Sequence, residues 1–543
     1  MTGYNCKYAP VEILAGFGEA CELLGGEAGN FDYAAARLHP NMCSHAKAML
    51  EHIHAGAYQN LLFVNCCDSS RRVADCAKNE KVNFLYSLDL PSCCAQCGVE
   101  QLKNNLLDLI AAYEKHSCKT FDKALFLSSF QKKQPQPRGK YIAVLGARSS
   151  QTLLDVAAKC FAGVQIVDLT CAQNRQVLPL QAQADEPLDS LMLKYAKALL
   201  SQTPCMRMQD VRAREALLES DNCIGVLYST VKFCDYYDFE FSKLKNLKTP
   251  ILRVETDFTN QSYGQLLTRL EGFRETLPKA EKRKGEKQVH GKYFAGIDSG
   301  STSTELVALD RELNIVKSVM VRTGANAAAG AQKALEKAGL AQKDIACIVA
   351  TGYGRKNIGF ADDNVTEITC HAKGAKHLYA PVTTIIDIGG QDSKVITLDE
   401  SGKVTGFVMN DKCAAGTGRF LENMAKVLEV DMQTMATIGL HYKNDLTISS
   451  MCTVFAESEV VSLIAENHSV ADIVHGLNKS VAAKTKALAA SAKDLRAVMM
   501  TGGVANNQGV VKELEKQLCT SVYIPKHPEF CGALGAALIA AGK

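Results

Sequence analysis

Short apolar runs recur along the first half of the chain, and segments with helical spacing separate them. The runs are three to five residues long and occupy residues 61–64, 141–145, 165–167, 224–227 and 251–254. Runs of this length between helical patterns are typical of strands buried on both faces of a parallel sheet. The first 277 residues are therefore predicted to form α/β lobes built on parallel sheets.

The second half of the chain repeats one strand-turn-strand pattern. Apolar residues 293–297 and 305–309 flank the polar turn DSGSTST, and a similar pattern returns in TIIDIGGQDSKVIT at residues 384–397. This repetition predicts a duplicated α/β domain whose halves face each other across a nucleotide cleft.

Charged and proline-containing segments suggest where the domains end. The segment PKAEKRKGEKQVHGK at residues 278–292 is dense in charge, and QKKQPQPRGK at residues 131–140 combines two prolines with four basic residues. We therefore predict one lobe at residues 1–135, a second lobe at 138–277, a charged linker at 278–291 and a nucleotide-binding domain at 292–543.

Composition narrows the class of protein. Of the 543 residues, 47% are hydrophobic and 22% are charged, which fits a soluble globular chain, and a formal net charge of +3 gives no special attraction to nucleic acid or anionic membrane. The first 20 residues lack the pattern of an export signal, and no run approaches the roughly 18 apolar residues of a membrane span. We expect a cytoplasmic protein without nucleic-acid or membrane partners.

Cysteine is unusually abundant. The chain has 21 cysteines, of which fifteen precede residue 290 and six follow it. In a reducing cytosol this density favours metal or cluster ligands over disulfides, although some of these cysteines are expected to be small buried hydrophobic residues. Because exposed thiolates are safest away from oxygen, an anaerobic host is expected.

Three glycine-rich turns in the second half could hold a polyphosphate. Their small residues let backbone N–H groups approach phosphate oxygens, and Asp298 ends the first strand where a carboxylate could hold Mg²⁺. Since GxxxxGK[ST] is absent, this is not a Walker A loop. The candidate catalytic residues are Asp298, Asp387, Gln391 and Asp392. The candidate nucleotide-binding residues are Gly300, Ser301, Thr302, Ser303, Gly389, Gly390, Gly416, Thr417, Gly418, Gly502, Gly503 and Asn506.

Cys413 and Cys452 lie among these nucleotide loops. Helical spacing follows Cys413, and Ser449 and Ser450 are good N-cap residues before Cys452, so both thiols are predicted near helix N-termini, where thiolate is favoured. A [4Fe-4S] cluster normally takes four thiolates, so two ligands per chain would require a second copy across a two-fold axis. The alternative is a pair of buried cysteines that pack behind the nucleotide cleft.

One family shares these motifs in this order. The segments GIDSGSTST, TGYGR, DIGGQDSK, NDKCAAGTGRF, CTVFAESEV and TGGVANN closely resemble the ATPase activator of 2-hydroxyacyl-CoA dehydratases, or archerase, of the BadF/BadG/BcrA/BcrD ATPase family. That family has the actin-like fold of acetate kinase, sugar kinases and Hsp70, and the resemblance covers about residues 292–543. It implies a duplicated actin-like ATPase domain.

The resemblance also implies cofactors and partners. They are ATP or ADP with Mg²⁺, a homodimer formed through the ATPase domain, and one [4Fe-4S] cluster between two subunits with Cys413 and Cys452 as the ligands of each. A low-potential reductant such as ferredoxin or flavodoxin would supply the electron, and a separate dehydratase or reductase is a possible acceptor. ATP binding would rearrange the helices around the cluster, so that the electron leaves at a lower potential.

The N-terminal half resembles a second family. Residues 4–13, YNCKYAPVEI, and residues 231–258 are similar to the catalytic subunits of 2-hydroxyacyl-CoA dehydratases, which include double-cubane cluster reductases. The resemblance covers about residues 1–275 and implies a second iron-sulfur cluster. By match to that pattern its ligands are Cys43 from HPNMCSHAK, Cys66 from FVNCCDSS and Cys234 from KFCD, with Cys67 as an alternative to Cys66.

Other cysteines in this half leave the ligand set open. Cys93, Cys94 and Cys97 form a CCxxC group that could belong to a second or larger cluster, and its CxxC spacing also suits zinc. Five further cysteines in apolar settings are predicted to be core residues, namely Cys21, Cys76, Cys118, Cys160 and Cys171.

The preferred interpretation is a dehydratase-like, cluster-bearing module fused to its own ATP-driven electron donor. Its reaction would be ATP hydrolysis coupled to low-potential electron transfer. Two alternatives stay open: a small-molecule kinase of the same superfamily with purely structural cysteines, and an ATP-responsive iron-sulfur scaffold. The final acceptor and the binding of an acyl-CoA are left undetermined.

Overall fold

A computed structural model describes most of the chain, in two compact units that comprise residues 1–270 and 271–543. The described residues are 1–130, 137, 139–244, 247–259, 263–277, 291–411, 413–449, 452–490, 492 and 494–542. Residues 278–290 of the predicted charged linker, and most of the predicted break at 131–140, lie outside them. No helix within these ranges is long and apolar enough to cross a membrane.

The N-terminal unit begins with a parallel four-stranded sheet in the order β2-β1-β3-β4. Its strands are β1 Thr2–Tyr4, β2 Cys21–Leu23, β3 Asn60–Val64 and β4 Phe84–Leu88. The accompanying helices are α1 Val11–Ala15, α2 Asp32–Ala35, α3 Ser44–His54, α4 Asp68–Ala77, α5 Gln96–Ser117 and α6 Lys123–Ser128. Because β3 is central and covered on both faces, all five of its residues are buried.

A second parallel sheet of the same unit has the order β6-β5-β7-β8. Its strands are β5 Tyr141–Gly146, β6 Gln165–Asp168, β7 Cys223–Val231 and β8 Ile251–Thr256. The helices that follow in the chain are α7 Gln151–Cys160, α8 Leu188–Leu200, α9 Arg212–Leu218, α10 Asp235–Lys243 and α11 Tyr263–Thr276. All five apolar runs of the first half are therefore strands, and the prediction of parallel sheets is confirmed.

The C-terminal unit contains two five-stranded sheets with the same topology, in the orders β11-β10-β9-β12-β13 and β16-β15-β14-β17-β18. In each sheet the first three strands along the chain are antiparallel neighbours, and the last two pair in parallel. The first sheet comprises β9 Tyr293–Ser299, β10 Ser303–Leu309, β11 Ile315–Arg322, β12 Ile345–Thr351 and β13 Asp363–Asn364. The second comprises β14 Thr384–Ile388, β15 Ser393–Leu398, β16 Val404–Asn410, β17 Val498–Thr501 and β18 Val522–Tyr523. The predicted duplication is thus confirmed.

Eight helices accompany these sheets in the described part of the C-terminal unit. They are α12 Ala327–Ala338, α13 Glu367–Leu378, α14 Gly418–Val427, α15 Met432–Ile438, α16 Thr453–Ala465, α17 Val470–Ala489, α18 Gln508–Leu518 and α19 Cys531–Ala540. Short 3-10 turns occupy Gln342–Asp344, Arg355–Asn357, Gly439–His441, Gly503–Asn506 and Pro528–Phe530.

Helices α13 and α19 approach each other and strand β9 unusually closely. A Cβ atom at Gly535 would lie 1.7 Å from the carbonyl oxygen of Cys370, and one at Gly296 would lie 2.0 Å from that of Ala533. Only glycine fits at these contacts, because no side chain tolerates such distances. The close packing brings the first turn of α19 and one face of α13 to the carboxyl end of β9, where the first glycine-rich loop begins.

Candidate functional site

Two loops of matching geometry follow β9 and β14. In the first, the N–H of Gly300 donates to the carbonyl of Ser303 at 2.9 Å, and in the second the N–H of Gly389 donates to that of Asp392 at 3.0 Å. A Cβ atom on Gly390 would lie 2.5 Å from Thr302 Oγ1, so the two loops are in contact. The structure therefore brings together the candidate residues of both duplicated halves.

The third glycine-rich segment runs beside the second loop. Gly502 has a φ of +81° and a Cβ atom there would lie 2.4 Å from the carbonyl oxygen of Ile388, so the position requires glycine. Gly503 and Asn506 are exposed, and space is open around the α-carbon of Gly503. This segment offers an open, side-chain-poor surface next to the loop at 389–392.

A buried lysine holds three carboxylates at the loops. The Nζ atom of Lys394 lies 2.7 Å from Asp392 Oδ2, 3.3 Å from Asp387 Oδ2 and 3.5 Å from Glu367 Oε2. The side chain of Lys394 is only 3% exposed. Burial lowers its pKa, but the surrounding carboxylates outweigh this, and the pKa is raised well above the ordinary value. Lys394 is thus a permanent cation among the candidate catalytic acids.

A histidine lies between the two strand-end aspartates. His371 Nε2 is 3.8 Å from Asp298 Oδ2, and His371 Nδ1 is 3.6 Å from Asp387 Oδ1. Burial lowers the pKa of His371, so its imidazole is neutral at pH 7. Thr501 Oγ1 donates to Asp387 Oδ1 at 2.9 Å, and a Cβ atom on Gly532 would lie 2.0 Å from Asp298 Oδ2. Both aspartates are therefore fixed by tight packing.

The acids of this centre differ in protonation. Burial, followed by the charge of Glu305, raises the pKa of Asp298 to about 8, and burial raises that of Glu367 to about 8 and of Glu305 to about 7. Burial also opposes ionisation of Asp387, but His371, Lys394 and Thr501 lower its pKa overall. A cluster with raised acid pKa values is a site where a bound cation can replace protons.

The motif TGYGR, at residues 351–355, contacts both loops. A Cβ atom on Gly352 would lie 2.5 Å from Asp298 Oδ1, and the hydroxyl of Tyr353 donates to Asp392 Oδ2 at 3.1 Å. Gln391 is half-buried, and Ser301 and Ser303 are half-buried beside the exposed Thr302. All four candidate catalytic residues therefore lie on the two contacting loops or at the strand ends that lead into them.

Cys413 and Cys452 are both exposed. Cys452 is the N-cap residue of α16, as predicted, but Cys413 does not begin a helix: α14 starts at Gly418 after the N-cap residue Thr417. Gly416, with a φ of +91°, interrupts the helical conformation between them. Ser449 does not cap α16; its hydroxyl donates to the carboxylate of Glu459, and Ser450 lies outside the described residues.

A lysine from α17 lies beside both thiols. A Cβ atom on Gly416 would be 3.2 Å from Cδ of Lys484, and the ammonium group lies 5.2 Å from the centre of the Phe420 ring. Burial lowers the pKa of Lys484, and negative charge on Cys413 and on Cys452 opposes that shift. The Lys484 side chain therefore lies close enough to interact electrostatically with both candidate ligands.

The loop of Cys413 is joined to the second glycine-rich loop through the backbone. The N–H groups of Gly418 and Arg419 donate to the carbonyls of Gly389 and Gly390, both at 2.9 Å. Thr417 is fully buried, and its hydroxyl donates to the carbonyl of Ala414 at 2.6 Å. Residues 416–418 thus connect the two candidate sites, while their contact with nucleotide stays a prediction.

Two of the three candidate cluster ligands of the N-terminal unit, Cys43 and Cys234, lie near each other and near Cys67, which in turn contacts the third candidate, Cys66. Burial, then negative charge on Cys43 and on Cys67, raises the pKa of Cys234 to about 12. Cys43 is the N-cap residue of α3, and Cys67 is the N-cap residue of α4. Contact with Cys6 is the main cause that raises the pKa of Cys66, and contact with Cys66 raises that of Cys67. Cys66 and its alternative Cys67 occupy the same neighbourhood, since both thiols lie within sulfur hydrogen-bond distance of Ser70 Oγ.

Sequence reasoning missed further cysteines in this neighbourhood. Burial raises the pKa of Cys171, as do charges on Cys234, Cys205 and Cys67, so Cys171 and Cys205 belong to the same group of thiols. The sequence predicts Cys171 to be a core residue, whereas in the structure it is half-buried beside these thiols. The missed signal is position: Cys171 follows β6 at the carboxyl edge of its sheet, where functional residues gather.

The group CCxxC lies at the start of α5 and is more exposed. Cys93 is half-buried, whereas Cys94 and Cys97 are exposed. Cys118, expected in the core, is instead the exposed C-cap residue of α5 with a φ of +55°. Within the described ranges, no three His, Cys, Asp or Glu side chains are arranged to hold a single metal ion. The four thiolates of a cubane bind four different irons and do not converge on one point.

The N-terminal unit also contains a polar cavity of about 600 Å³ that sequence reasoning did not anticipate. Arg175 forms a bidentate ion pair with Glu12 in its wall, and the hydroxyl of the buried Tyr195 donates to the same carboxylate. Glu12 lies in the PVEI segment, which forms part of a family resemblance in the sequence. Its partners Arg175 and Tyr195 come from distant parts of the chain, so the sequence does not reveal the cavity.

Known proteins match both halves. Residues 295–540 match the BadF/BadG/BcrA/BcrD ATPase family, and residues 6–139 and 127–277 match the 2-hydroxyglutaryl-CoA dehydratase, D-component, family.

The 2-hydroxyisocaproyl-CoA dehydratase activator of Clostridioides difficile is 46% identical over 252 residues, which is 46% of this chain and 94% of that protein. The (R)-2-hydroxyglutaryl-CoA dehydratase activating ATPase of Acidaminococcus fermentans is 44% identical over 252 residues, 46% of this chain and 96% of the relative. A solved structure of the Clostridium difficile activator with bound ADPNP is 45% identical, covers 46% of this chain and 94% of its own, and has a TM-score of 0.44.

The duplicated sheets and their two contacting loops define an actin-like ATPase, preceded here by parallel-sheet α/β lobes. The chain belongs to the BadF/BadG/BcrA/BcrD ATPase family through its C-terminal half and to the 2-hydroxyglutaryl-CoA dehydratase D-component family through its N-terminal half. Both resemblances inferred from the sequence motifs are therefore confirmed.

Proposed function

We propose that this protein is an ATP-dependent activator that couples ATP hydrolysis to low-potential electron transfer. The observation that carries the proposal is that backbone hydrogen bonds join the segment after Cys413 to the second glycine-rich loop, while one lysine interacts with both exposed thiols. Two relatives that are named as dehydratase activators match this chain over nearly their whole length, and this supports an activating role.

The nucleotide would be ATP or ADP with Mg²⁺, held between the three glycine-rich segments. Asp298, Asp387 and Asp392 are the carboxylates available to the metal ion and its waters, with Gln391 beside them. Lys394 helps to lower the pKa of Asp387 and lies 2.7 Å from Asp392, and the raised pKa of Asp298 means that Mg²⁺ would displace a proton there. The side-chain-free backbone at Gly389, Gly390 and Gly502 leaves room for phosphate oxygens.

The residues Cys413 and Cys452 fit one half of an inter-subunit [4Fe-4S] site. Each chain supplies two accessible thiols, and Lys484 places one positive charge near both of them. Bound there, the cluster would supply one-electron transfer at low potential. A two-fold axis beside the thiols would bring four thiolates together.

The helix that begins after Cys452 supports a homodimer through this face. In α16 the side chains of Val454 and Phe455 are 67% and 68% exposed, and Val461 and Ile464 are also exposed. Only Ala456 and Val460 of this helix are buried. An apolar helix face of this kind marks a protein interface, and a symmetric dimer would cover it with the same helix of the second copy.

The electron would enter from a reductant such as ferredoxin or flavodoxin. Its acceptor would be a second iron-sulfur centre in the N-terminal module, with Cys43, Cys66 and Cys234 as proposed ligands, or a separate dehydratase or reductase. The raised pKa values of Cys43 and Cys234 predict that loading iron at this second site releases protons.

The proposal is tested by anaerobic reconstitution of the full chain. Replacing Cys413 or Cys452 by Ser should remove roughly four irons per pair of chains and abolish the corresponding EPR signal of the reduced protein. Cys519→Ser is the matched control, since Cys519 is exposed in the same unit but lies outside the proposed site. Phe455→Asp should yield monomers in light scattering and the same loss of iron.

Three results would count against the proposal. Iron content and EPR spectra unchanged by both Cys→Ser substitutions would exclude this cluster site. A wild-type protein that stays monomeric when fully loaded would exclude a shared cluster. Phosphorylation of a small molecule by an iron-free preparation would favour the kinase alternative, and release of iron on addition of MgATP would favour the scaffold.

A further inference from the structure

The last two turns of α11 lie outside the ATPase family but pack within the ATPase unit. This helix spans Tyr263–Thr276 and falls inside the dehydratase-family match, which ends at residue 277, whereas the ATPase match begins at residue 295. From Glu271 onward its residues belong to the compact unit of residues 271–543. A segment of one family is therefore built into the domain of the other.

Glu271 neutralises a buried arginine of the TGYGR motif. Its Oε2 atom accepts from Arg355 Nη2 at 2.5 Å, and its Oε1 atom accepts from Lys356 Nζ at 2.6 Å. The side chains of Arg355 and Glu271 are 4% and 14% exposed. Arg355 Nη1 also donates to the carbonyl of Gly352 at 2.9 Å, so the same guanidinium joins Glu271 to the backbone of the motif. Loss of Glu271 would leave a buried charge without its carboxylate.

The segment that Arg355 holds touches both nucleotide loops. A Cβ atom on Gly352 would lie 2.5 Å from Asp298 Oδ1, and one on Gly354 would lie 2.4 Å from Ser299 Oγ. Tyr353 donates to Asp392 of the second loop. A displacement of residues 352–355 would therefore disturb the carboxylates on both sides of the proposed nucleotide.

Glu275, one turn further along α11, caps helix α13. Its carboxylate accepts from the N–H of Thr366 at 3.1 Å and from the hydroxyls of Thr366 and Thr369. Negative charge at a helix N-terminus is stabilising. The helix held in this way carries Glu367, the first residue of α13, and His371, which contact Lys394 and the two strand-end aspartates.

The segment between the two glutamates packs against the ATPase fold. A Cβ atom on Gly272 would lie 3.4 Å from Ile368 Cγ1 in α13 and 3.4 Å from the Phe407 ring in β16. Gly272 and Phe273 are buried, whereas Arg274 is exposed. The end of α11 thus presents one packed face to the ATPase fold, with a carboxylate at each end of it.

We infer that Glu271 and Glu275 are positioning residues of the nucleotide site, and that nucleotide binding and the placement of α11 are thermodynamically linked. The inference rests on the proposed nucleotide binding. Because coupling between two sites is reciprocal, a nucleotide that favours one arrangement of residues 352–355 and α13 also favours the matching arrangement of α11. The nucleotide state would therefore be transmitted to α11, a helix that belongs to the dehydratase-type family match.

The test is the affinity of the full chain for MgADP, measured by isothermal titration calorimetry. Glu271→Gln and Glu275→Gln should each weaken binding by roughly tenfold, as expected for loss of one charge-assisted contact at a positioned site. Glu336→Gln is the matched control, because Glu336 is an exposed glutamate on α12 of the same unit. Its affinity should stay within about twofold of the wild-type value.

A second measurement distinguishes positioning from simple loss of stability. In the wild-type chain, MgADP should slow hydrogen exchange of residues 263–277 as well as of the nucleotide loops, and this effect should disappear in Glu271→Gln. Exchange in residues 263–277 that does not respond to MgADP would overturn the inference, even if the variants fail to fold. Unchanged MgADP affinity in both folded variants would overturn it too.

The outcomes also separate this inference from the proposed function. A wild-type chain that does not bind MgADP would remove the basis of both. MgADP binding that is indifferent to Glu271 and Glu275 would reject only the role of α11. Loss of the cluster signal in Cys413→Ser, with the MgADP results as expected, leaves both standing.

Discussion

Replacing Lys394 by Met tests whether the buried carboxylate centre is organised by one cation. The side chain is 3% exposed, and its ammonium group lies within 3.5 Å of Asp392, Asp387 and Glu367. Methionine preserves most of the volume and removes the charge. The substitution should therefore leave packing nearly intact and expose the electrostatic contribution alone.

The size of the effect follows from the protons that the carboxylates must take up. Without Lys394, one of the aspartates has to be protonated in the folded protein, and at pH 7 this costs about 4 kcal/mol for an ordinary pKa near 3.9. That value lies within the range of about 3 to 5 kcal/mol for removal of one partner from a buried ion pair. At pH 5 the same reasoning leaves only about 1.5 kcal/mol.

The assay is calorimetric unfolding of the nucleotide-free full chain between pH 5 and pH 7. At pH 7 the transition of the C-terminal unit should fall by roughly 8 to 16 °C in Lys394→Met, and the loss should shrink steadily on acidification. Lys343→Met, at an exposed lysine of the same unit, is the control and should change little. A loss below about 1 kcal/mol at pH 7, or one independent of pH, would refute the reasoning.

Two further predictions concern the same centre. Because burial raises the pKa of Asp298 and of Glu367 to about 8, the folded state binds more protons than the unfolded state between about pH 4 and 8, so the free energy of unfolding should fall as pH rises through this window. Urea titrations from pH 6 to 9 would measure a slope of up to about 1.4 kcal/mol per pH unit for each group, and Asp298→Asn should flatten it; an unaltered slope would contradict the assignment. Gly502 has a φ of +81°, and a Cβ atom there would lie 2.4 Å from the Ile388 carbonyl oxygen, so Gly502→Ala should lower the free energy of unfolding by about 1 to 3 kcal/mol. Gly503→Ala, where space is open, should change it by less than about 0.5 kcal/mol. Equal thermal shifts of the two variants would show that Gly502 is not constrained.

The fold was largely accessible from the sequence because its strands are buried. Residues 61–64 and 141–145 are short apolar runs at central strands that are buried on both faces, and the repeated strand-turn-strand patterns indicate the duplicated unit. The first residue of α14 was harder to predict. Helical spacing after Cys413 suggested a helix there, but the positive φ of Gly416 delays the helix to Gly418, and only the folded loop determines that conformation.

The glycine-rich loops of the site were visible in sequence, but their supporting residues were not. Lys394 is the second residue of β15 and has the sequence pattern of an ordinary strand lysine, and Glu367 and His371 have that of polar positions of a helix. Their meeting depends on the packing of α13 against the sheets, which is a long-range property. The same holds for the thiols of Cys171 and Cys205, which belong to separate segments of the N-terminal unit.

The backbone hydrogen bonds between the second loop and α14 give a physical route from the proposed nucleotide site to Cys413. The carbonyls of Gly389 and Gly390 accept from the first N–H groups of α14, so a shift of the loop toward a phosphate must either move that helix or break two hydrogen bonds. Each bond contributes only about 1 kcal/mol, but an unpaired buried carbonyl costs more, so movement of the helix is the less costly response. Since Cys413 lies five residues before Gly418, and Lys484 packs on Gly416 between them, that movement would reach Cys413 and the neighbouring charge of Lys484 together. A nucleotide that binds one loop arrangement better than another can therefore alter the surroundings of the proposed cluster by differential affinity alone.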